Sequence, residues 1–208
     1  MQKNNNDEQA INVIAICGSL REVSYTQMAL EVVLSGAKEL GANVKLACLR
    51  DYDLAFCDGG DSYPSGVAQL RREVKQAKGI ILGTPSYHGG FSGVLKNALD
   101  LMSFEQFEGK IIGLVGVAGG RTGAIPALDS LRTIGRALHS WVIPEDVSIP
   151  SVSSVFDKSG NINDENIKQR LQDVGRQVTR FSYLHHSRQS QEFLKLWESA
   201  ADNPGADY

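Results

Sequence analysis

Cysteine is scarce in this chain of 208 residues, and the three present (Cys17, Cys48 and Cys57) are odd in number and show no C-x-x-C spacing. That pattern argues against a disulfide framework and against a zinc site. Free thiols inside or beside strands suit a reducing cytoplasm, which is the expected location. No apolar run approaches the roughly 20 residues that cross a bilayer, so no membrane partner is expected. The opening MQKNNNDEQA is polar where a secretory leader carries an apolar core. The four histidines, His88, His139, His185 and His186, supply neither an i, i+4 pair nor H-E-x-x-H, and no metal site is expected. A net charge of -3 with no basic face argues against nucleic acid. Arg71 and Arg72 have acids nearby and read as a solvated helix surface. Neither a Ser-His-Asp nor a Cys-His arrangement is visible, so no side-chain nucleophile is expected.

What is present is an ordinary globular composition, 42% hydrophobic and 22% charged. The length suits one domain over 1–208, with a polar N-terminal extension at 1–10 and a C-terminal tail at 187–208. Short β-branched runs alternate with stretches of helical period. Strands are expected at 12–17, 44–48, 79–84, 110–117 and 141–149, the last bent at Pro144. Helical stripes fall at 26–40, 67–77, 94–102, 125–138 and 167–181, and residues 193–197 form a further amphipathic segment able to pack on the domain or on a neighbouring subunit. The run 79–84 is apolar throughout, as a strand covered on both faces should be. Five strands joined by crossover helices require an open parallel sheet with helices on both faces.

In such sheets ligands lie beyond the carboxyl ends of the strands, near the switch in strand order. After the first strand comes Gly18-Ser19-Leu20-Arg21-Glu22-Val23-Ser24-Tyr25-Thr26. Hydroxyls at 19, 24 and 26, a fixed positive charge at Arg21 and free helix amides suit a phosphate. Neither G-x-G-x-x-G nor G-x-x-x-x-G-K-[ST] occurs, which leaves a loop for a single terminal phosphate rather than a dinucleotide or a nucleoside triphosphate. Helix capping is the competing explanation, but one hydroxyl suffices for a cap.

After the third strand, Pro85-Ser86-Tyr87-His88-Gly89-Gly90-Phe91-Ser92-Gly93 specifies a tight backbone whose amides are free to meet a flat polar ring. Tyr87 or Phe91 is placed to lie against such a ring, or to plug the core. After the fourth strand, Gly119-Gly120-Arg121 permits close backbone approach and adds positive potential. Alone, each loop has a bland reading as a turn; three at one sheet edge point to a site.

Together with Ser92-Gly93-Val94-Leu95-Lys96-Asn97-Ala98-Leu99-Asp100, these motifs resemble the NADPH-dependent FMN reductases, among them quinone, azo-dye and chromate reductases. The resemblance covers roughly residues 11–150. It implies a flavodoxin-like fold, non-covalent FMN, and homodimers or homotetramers. By position, it implies that Ser19, Arg21, Ser24, Tyr25 and Thr26 hold the FMN phosphate. Pro85, Ser86, Tyr87, His88 and Gly89 would line the ring, with Gly119, Gly120 and Arg121 closing its other side. Members often carry Glu at the position of Ser86 and Asn at those of Thr26 and His88, departures that bear on flavin contact and acceptor choice. Lys96 and Asp100 read as an i, i+4 ion pair, with an interface role as the alternative.

The expected activity is ping-pong hydride transfer through FMN N5, from NADPH or NADH to a quinone, free flavin, azo compound or metal oxyanion. Arg21 and Arg121 are also candidates for the 2′-phosphate of NADPH. The alternatives are a flavodoxin-type electron carrier with no NAD(P)H oxidase activity of its own, and a redox-sensing regulatory protein.

Overall fold

The computed structural model describes residues 10–157 and 159–200. The expected N-terminal extension falls almost entirely outside the described residues, as does the end of the expected tail. Five parallel strands, β1 (Asn12–Cys17), β2 (Asn43–Cys48), β3 (Gly79–Pro85), β4 (Ile111–Val117) and β5 (Trp141–Ile149), form one sheet in the order β2-β1-β3-β4-β5. The chain leaves β1 outward to the β2 edge and then crosses back to β3. The switch point therefore lies between β1 and β3.

Every residue of β3 and β4 is buried, because helices cover both faces of the sheet centre. The edge strands differ. β2 exposes Asn43 and Lys45, and β5 carries Pro144, both features that keep an edge from pairing with another chain. The β4–β5 register jumps from Ile112↔Val142 to Leu114↔Asp146, so Pro144 sits in the irregularity where the bend was expected.

One face carries α1 (Tyr25–Glu39) and α6 (Glu165–His186), whose Leu30, Val33, Leu171, Val174 and Val178 pack on Val13, Ala15 and Val115. The other carries α2 (Ser65–Gln76), α3 (Gly93–Asp100) and α5 (Ile125–Ala137) over Ile14, Ile80 and Leu114. A four-residue helix, α4 (Phe104–Phe107), went unseen in the sequence because one turn has no periodicity to detect. It closes on its own capping box between Ser103 and Gln106. The amphipathic tail segment is α7 (Arg188–Glu198), which buries none of its residues and leaves Phe193, Leu196 and Trp197 exposed. Lys96 and Asp100 form the expected exposed pair at 2.7 Å, worth a few tenths of a kcal/mol. Arg71 is less free than expected, since its Nε donates to the Leu101 carbonyl at 2.6 Å. Among the described residues no helix is long and apolar enough to cross a membrane, and no group of three metal-ligating side chains is found.

Candidate functional site

β1 ends at Cys17, and residue 18 must be small for the next turn to form. A side-chain carbon on Gly18 would lie 2.9 Å from Ser92 Oγ and 3.0 Å from the Gly83 carbonyl. That close approach lets Ser92 Oγ donate to the Gly18 carbonyl at 2.7 Å while it caps α3 by accepting from the Leu95 amide. Thr84 holds the other side of Ser92, its hydroxyl accepting the Ser92 amide at 2.9 Å. The loops after β1 and β3 are thus tied by buried hydroxyls at the switch point.

The three hydroxyls of the first loop divide their work. Ser24 caps α1, accepting from the Gln27 amide at 3.2 Å. Ser19, buried, accepts only a long 3.4 Å contact from the Arg21 amide, and Thr26 is buried one residue inside the helix. The first turn of α1 contains no acid, so the helix supplies no negative charge of its own to its N-terminus. Among the described residues, the amides of Tyr25 and Thr26 and the Arg21 guanidinium have no hydrogen-bond or ion-pair partner. Arg21 is exposed at the rim.

Pro85 completes β3, and the Ser86 amide still belongs to the sheet edge, donating to the Val117 carbonyl at 2.7 Å. Tyr87 and Gly90 exchange amide–carbonyl bonds of 2.9 and 3.0 Å around a two-residue turn. His88 (φ 53°) and Gly89 (φ 78°) are both left-handed there, as a type I′ turn demands. Their amides have no partner among the described residues. The two aromatics also separate: Phe91 is half-buried and packs against the core, while Tyr87 is 46% exposed and free to meet a ligand.

On the far flank of the turn, beyond β4, stand Gly119, Gly120 and Arg121, all exposed. A side-chain carbon at either glycine would meet nothing within 4 Å, so internal packing does not require glycine here. The amides of residues 119–121 and the Arg121 guanidinium are likewise without partners among the described residues. The loop is anchored from below, where Ser148 Oγ accepts the Ala124 amide at 2.7 Å.

The structure therefore brings the three predicted loops to one rim, but not to one cavity. A groove of about 840 Å³ lies on the β2 side, where Arg21 and Tyr87 meet Arg50, Leu54, Phe56 and Asn97. Gly119, Gly120 and Arg121 lie outside it. The sequence reading passed over the loop after β2, although the same strand-end rule points to it. Arg50 leaves that loop to brace the first: its guanidinium donates to the Arg21 and Glu22 carbonyls and, at 2.7 Å, to Gln27 Oε1. Beneath the first loop, burial pushes the Cys17 thiol above its ordinary pKa, against the Ser19 amide and Ser24 hydroxyl that donate to it. Cys48 is pushed up to about 11, by burial first and then by its neighbour Cys17. Neither thiol is a nucleophile at neutral pH. What the rim offers is hydrogen-bond donors and fixed positive charge, suited to holding an anion and an electron-rich ring.

The family pattern for NADPH-dependent FMN reductase matches residues 11–153. An FMN-dependent NADPH-azoreductase of Staphylococcus saprophyticus is 38% identical over 141 residues, 65% of this chain and 74% of that one. An NAD(P)H-dependent FMN reductase of Pseudomonas aeruginosa is 32% identical over 168 residues, 78% of this chain and 90% of that one. Among solved structures, the flavoenzyme NAD(P)H:(acceptor) oxidoreductase of Paracoccus denitrificans superposes with a TM-score of 0.69 at 22% identity, covering 85% of this chain and 99% of that one. With that pattern running from the start of β1 through the β5 edge, the chain belongs to the NADPH-dependent FMN reductase family of oxidoreductases.

Proposed function

We propose that the chain holds FMN non-covalently across this rim and uses it to reduce a small acceptor with NADPH or NADH. The observation that carries the reading is the set of unpartnered donors at three loops flanking the switch point: paired amides at 25–26, 88–89 and 119–120, with Arg21 and Arg121. Water can meet exposed amides, but donors from three loops turned to one rim beside two guanidiniums make a surface suited to an anion. The donors also fit the group. Arg21, Ser19, Thr26 and the free end of α1 suit a phosphate dianion, with Ser24 capping and Tyr25 alongside. The segment 85–89, with Pro85, Ser86, Tyr87, His88 and Gly89, presents one exposed aromatic and two amides to a ring. Gly119 and Gly120 leave room for a ring edge, where Arg121 and the adjacent amides favour negative charge.

When bound, FMN supplies the redox chemistry, a two-electron hand-over from reduced nicotinamide to acceptor. The protein's part is to bind, to orient and to set the local potential. No side-chain acid or base is required for that. A ping-pong order follows from one open rim serving donor and acceptor in turn. The acceptor class is a quinone, free flavin, azo compound or metal oxyanion. Three free cysteines support a reducing, cytoplasmic setting. The exposed apolar side of α7 supports a homodimer or homotetramer.

The test begins with a fluorescence titration of the apoprotein with FMN, followed by anaerobic mixing of the loaded protein with NADPH or NADH. Bleaching of the oxidised-flavin band with one or both nucleotides is expected. Arg21→Ala should weaken FMN by about 10- to 100-fold, the loss of one charge-assisted contact, and leave riboflavin affinity unchanged. Tight FMN binding with no bleaching by either nucleotide would instead mark an electron carrier.

A further inference from the structure

The sequence S-x-x-Q opens two helices of this chain, and the fold finishes the two differently. At α4 the capping box is closed: the Ser103 amide donates to Gln106 Oε1 at 2.9 Å, so the helix satisfies its own N-cap amide. At α1 the same residue types stand at the same spacing, and Ser24 Oγ accepts the Gln27 amide at 3.2 Å as the motif requires. The reciprocal bond is missing. Gln27 Oε1 is taken by Arg50 Nη2 at 2.7 Å, with the Cys48 thiol a weaker second donor at 3.6 Å, while Gln27 Nε2 donates to Glu31 at 2.9 Å. The Ser24 amide is left without a hydrogen-bond partner among the described residues.

Arg50 is well placed to hold Gln27 away. Its Nη1 donates to the Arg21 and Glu22 carbonyls, and its Nε faces Asp51 at 3.5 Å, so the guanidinium is fixed from several sides. A bond from a guanidinium also outweighs the neutral bond that a closed box would make. The loop after β2 thus diverts a side chain of α1 from the one amide that side chain would otherwise cover.

We propose that Arg50 is a positioning residue for the cofactor phosphate. By engaging Gln27 it keeps the capping box of α1 open, and the Ser24 amide joins those of Tyr25 and Thr26 as a donor to the phosphate. Without Arg50, Gln27 turns back as Gln106 does on α4 and takes that donor for itself. The inference rests on the FMN reading, but its first test needs no FMN.

That test is hydrogen exchange of the Ser24 amide, read by NMR on the full-length apoprotein. In Arg50→Ala the amide should exchange about fivefold more slowly than in wild type, the effect of one new neutral hydrogen bond. Adding Gln27→Ala should restore the wild-type rate. A residue that merely braced the loop would do the opposite, since its loss would loosen the loop and speed exchange. FMN titration follows. Arg50→Ala should bind FMN about tenfold more weakly with riboflavin affinity unchanged, and Arg50→Ala/Gln27→Ala should recover to within about threefold of wild type, the remainder being the lost charge. Arg50→Lys keeps that charge on a compact donor that cannot hold Gln27 and two carbonyls together, so it should lose about threefold and recover on adding Gln27→Ala. It carries the test if Arg50→Ala does not fold. Faster or unchanged Ser24 exchange in Arg50→Ala overturns the proposal. So does FMN affinity that Gln27→Ala fails to recover in either Arg50 background, which would leave Arg50 acting by its charge or its carbonyl bonds. Failure of the wild type to bind FMN sinks the cofactor reading instead, and the exchange rates, measured without FMN, separate the two failures.

Discussion

Both ends of the sheet extend the same ladder, the carboxyl end through the Gly18, Ser86 and Ala118 amides onto the Gly83, Val117 and Ile149 carbonyls, and they differ in the loops beyond it. At the amino end, each strand entry is closed onto its neighbour: the Asn43 amide donates to Ile11, Lys78 to Asn12, Ile111 to Lys78 and Trp141 to Lys110, all at 2.8–3.2 Å. Side chains close it further. Ser140 Oγ donates to the Phe107 carbonyl at 2.7 Å, and buried Lys110 donates to the last carbonyls of α2 at 2.6 and 2.8 Å. In the loops beyond the carboxyl end, the amides of Tyr25, Thr26, His88, Gly89, Gly119 and Gly120 have no partner among the described residues. The difference teaches that unspent hydrogen-bonding capacity, more than hollow shape, marks the site, since the amino end has cavities of its own, about 310 and 380 Å³.

The amino end is closed, but at a cost that pH should reveal. Burial, then the charges of Lys78 and Lys75, lowers the Lys110 pKa from 10.5 to about 8. Between those values the unfolded chain holds a proton that the folded one has released, so stability rises with pH across that window. Relative to Lys110→Met, the wild type should gain up to about 3 kcal/mol between pH 8 and pH 10.5. Urea unfolding of both proteins at several pH values measures it. Parallel curves would mean that the α2 carbonyls, whose dipole favours the cation, cancel the burial. His186 works in the same direction at acid pH. Burial lowers its pKa, with Lys78, His185 and Lys110 adding to the effect, so its share of stability is lost as pH falls below about 6.5.

Two buried atoms, Ser182 Oγ and His186 Nε2, are exceptions that sharpen the contrast. Ser182 Oγ is fully buried at the amino end, under Gly79, with no hydrogen-bond partner among the described residues. Removing an unmatched hydroxyl relieves its desolvation, so Ser182→Ala should stabilise the fold by about 1 kcal/mol. Thermal unfolding should show a rise of about 2–4 °C for a chain of this size. A loss of stability would mean the hydroxyl is matched by water, and that the amino end is closed more completely than its protein–protein bonds alone indicate.

Much of this division was legible beforehand. β1 and β5 fall where the apolar and β-branched runs end, and the loops at 18–26, 85–93 and 119–121 stand out because glycine, hydroxyl and arginine cluster just past strands. What the residues could not show is which of several equivalent groups takes which job. Ser24 rather than Ser19 or Thr26 caps the helix, and Phe91 rather than Tyr87 packs against the core, choices that packing makes after the loop is placed. The groove was hidden for a different reason. Asn97 grips backbone atoms 42 and 40 residues away, and a contact with backbone leaves no trace in residue type. Arg50 braces the first loop by the same means, through carbonyls.

The smallest expected effect asks whether His88 is present for its ring or for its backbone. Its φ of 53° begins a turn in which Gly89, at 78°, also lies left-handed, the geometry for which Asn-Gly is the favoured pair. Histidine is tolerated there better than most residues with a Cβ, but less well than asparagine. His88→Asn should therefore stabilise the fold by about 0.5 kcal/mol, while His88→Ala should cost about 1 kcal/mol. Urea midpoints of the two variants against wild type read this directly, and FMN affinity supplies the second axis. If His88→Asn raises stability and leaves FMN affinity unchanged, the residue serves the turn, and the amides of 88 and 89 are what the carboxyl end presents. If FMN affinity falls while stability rises, the imidazole itself reaches the ring, and the open end depends on side chains as well as on backbone.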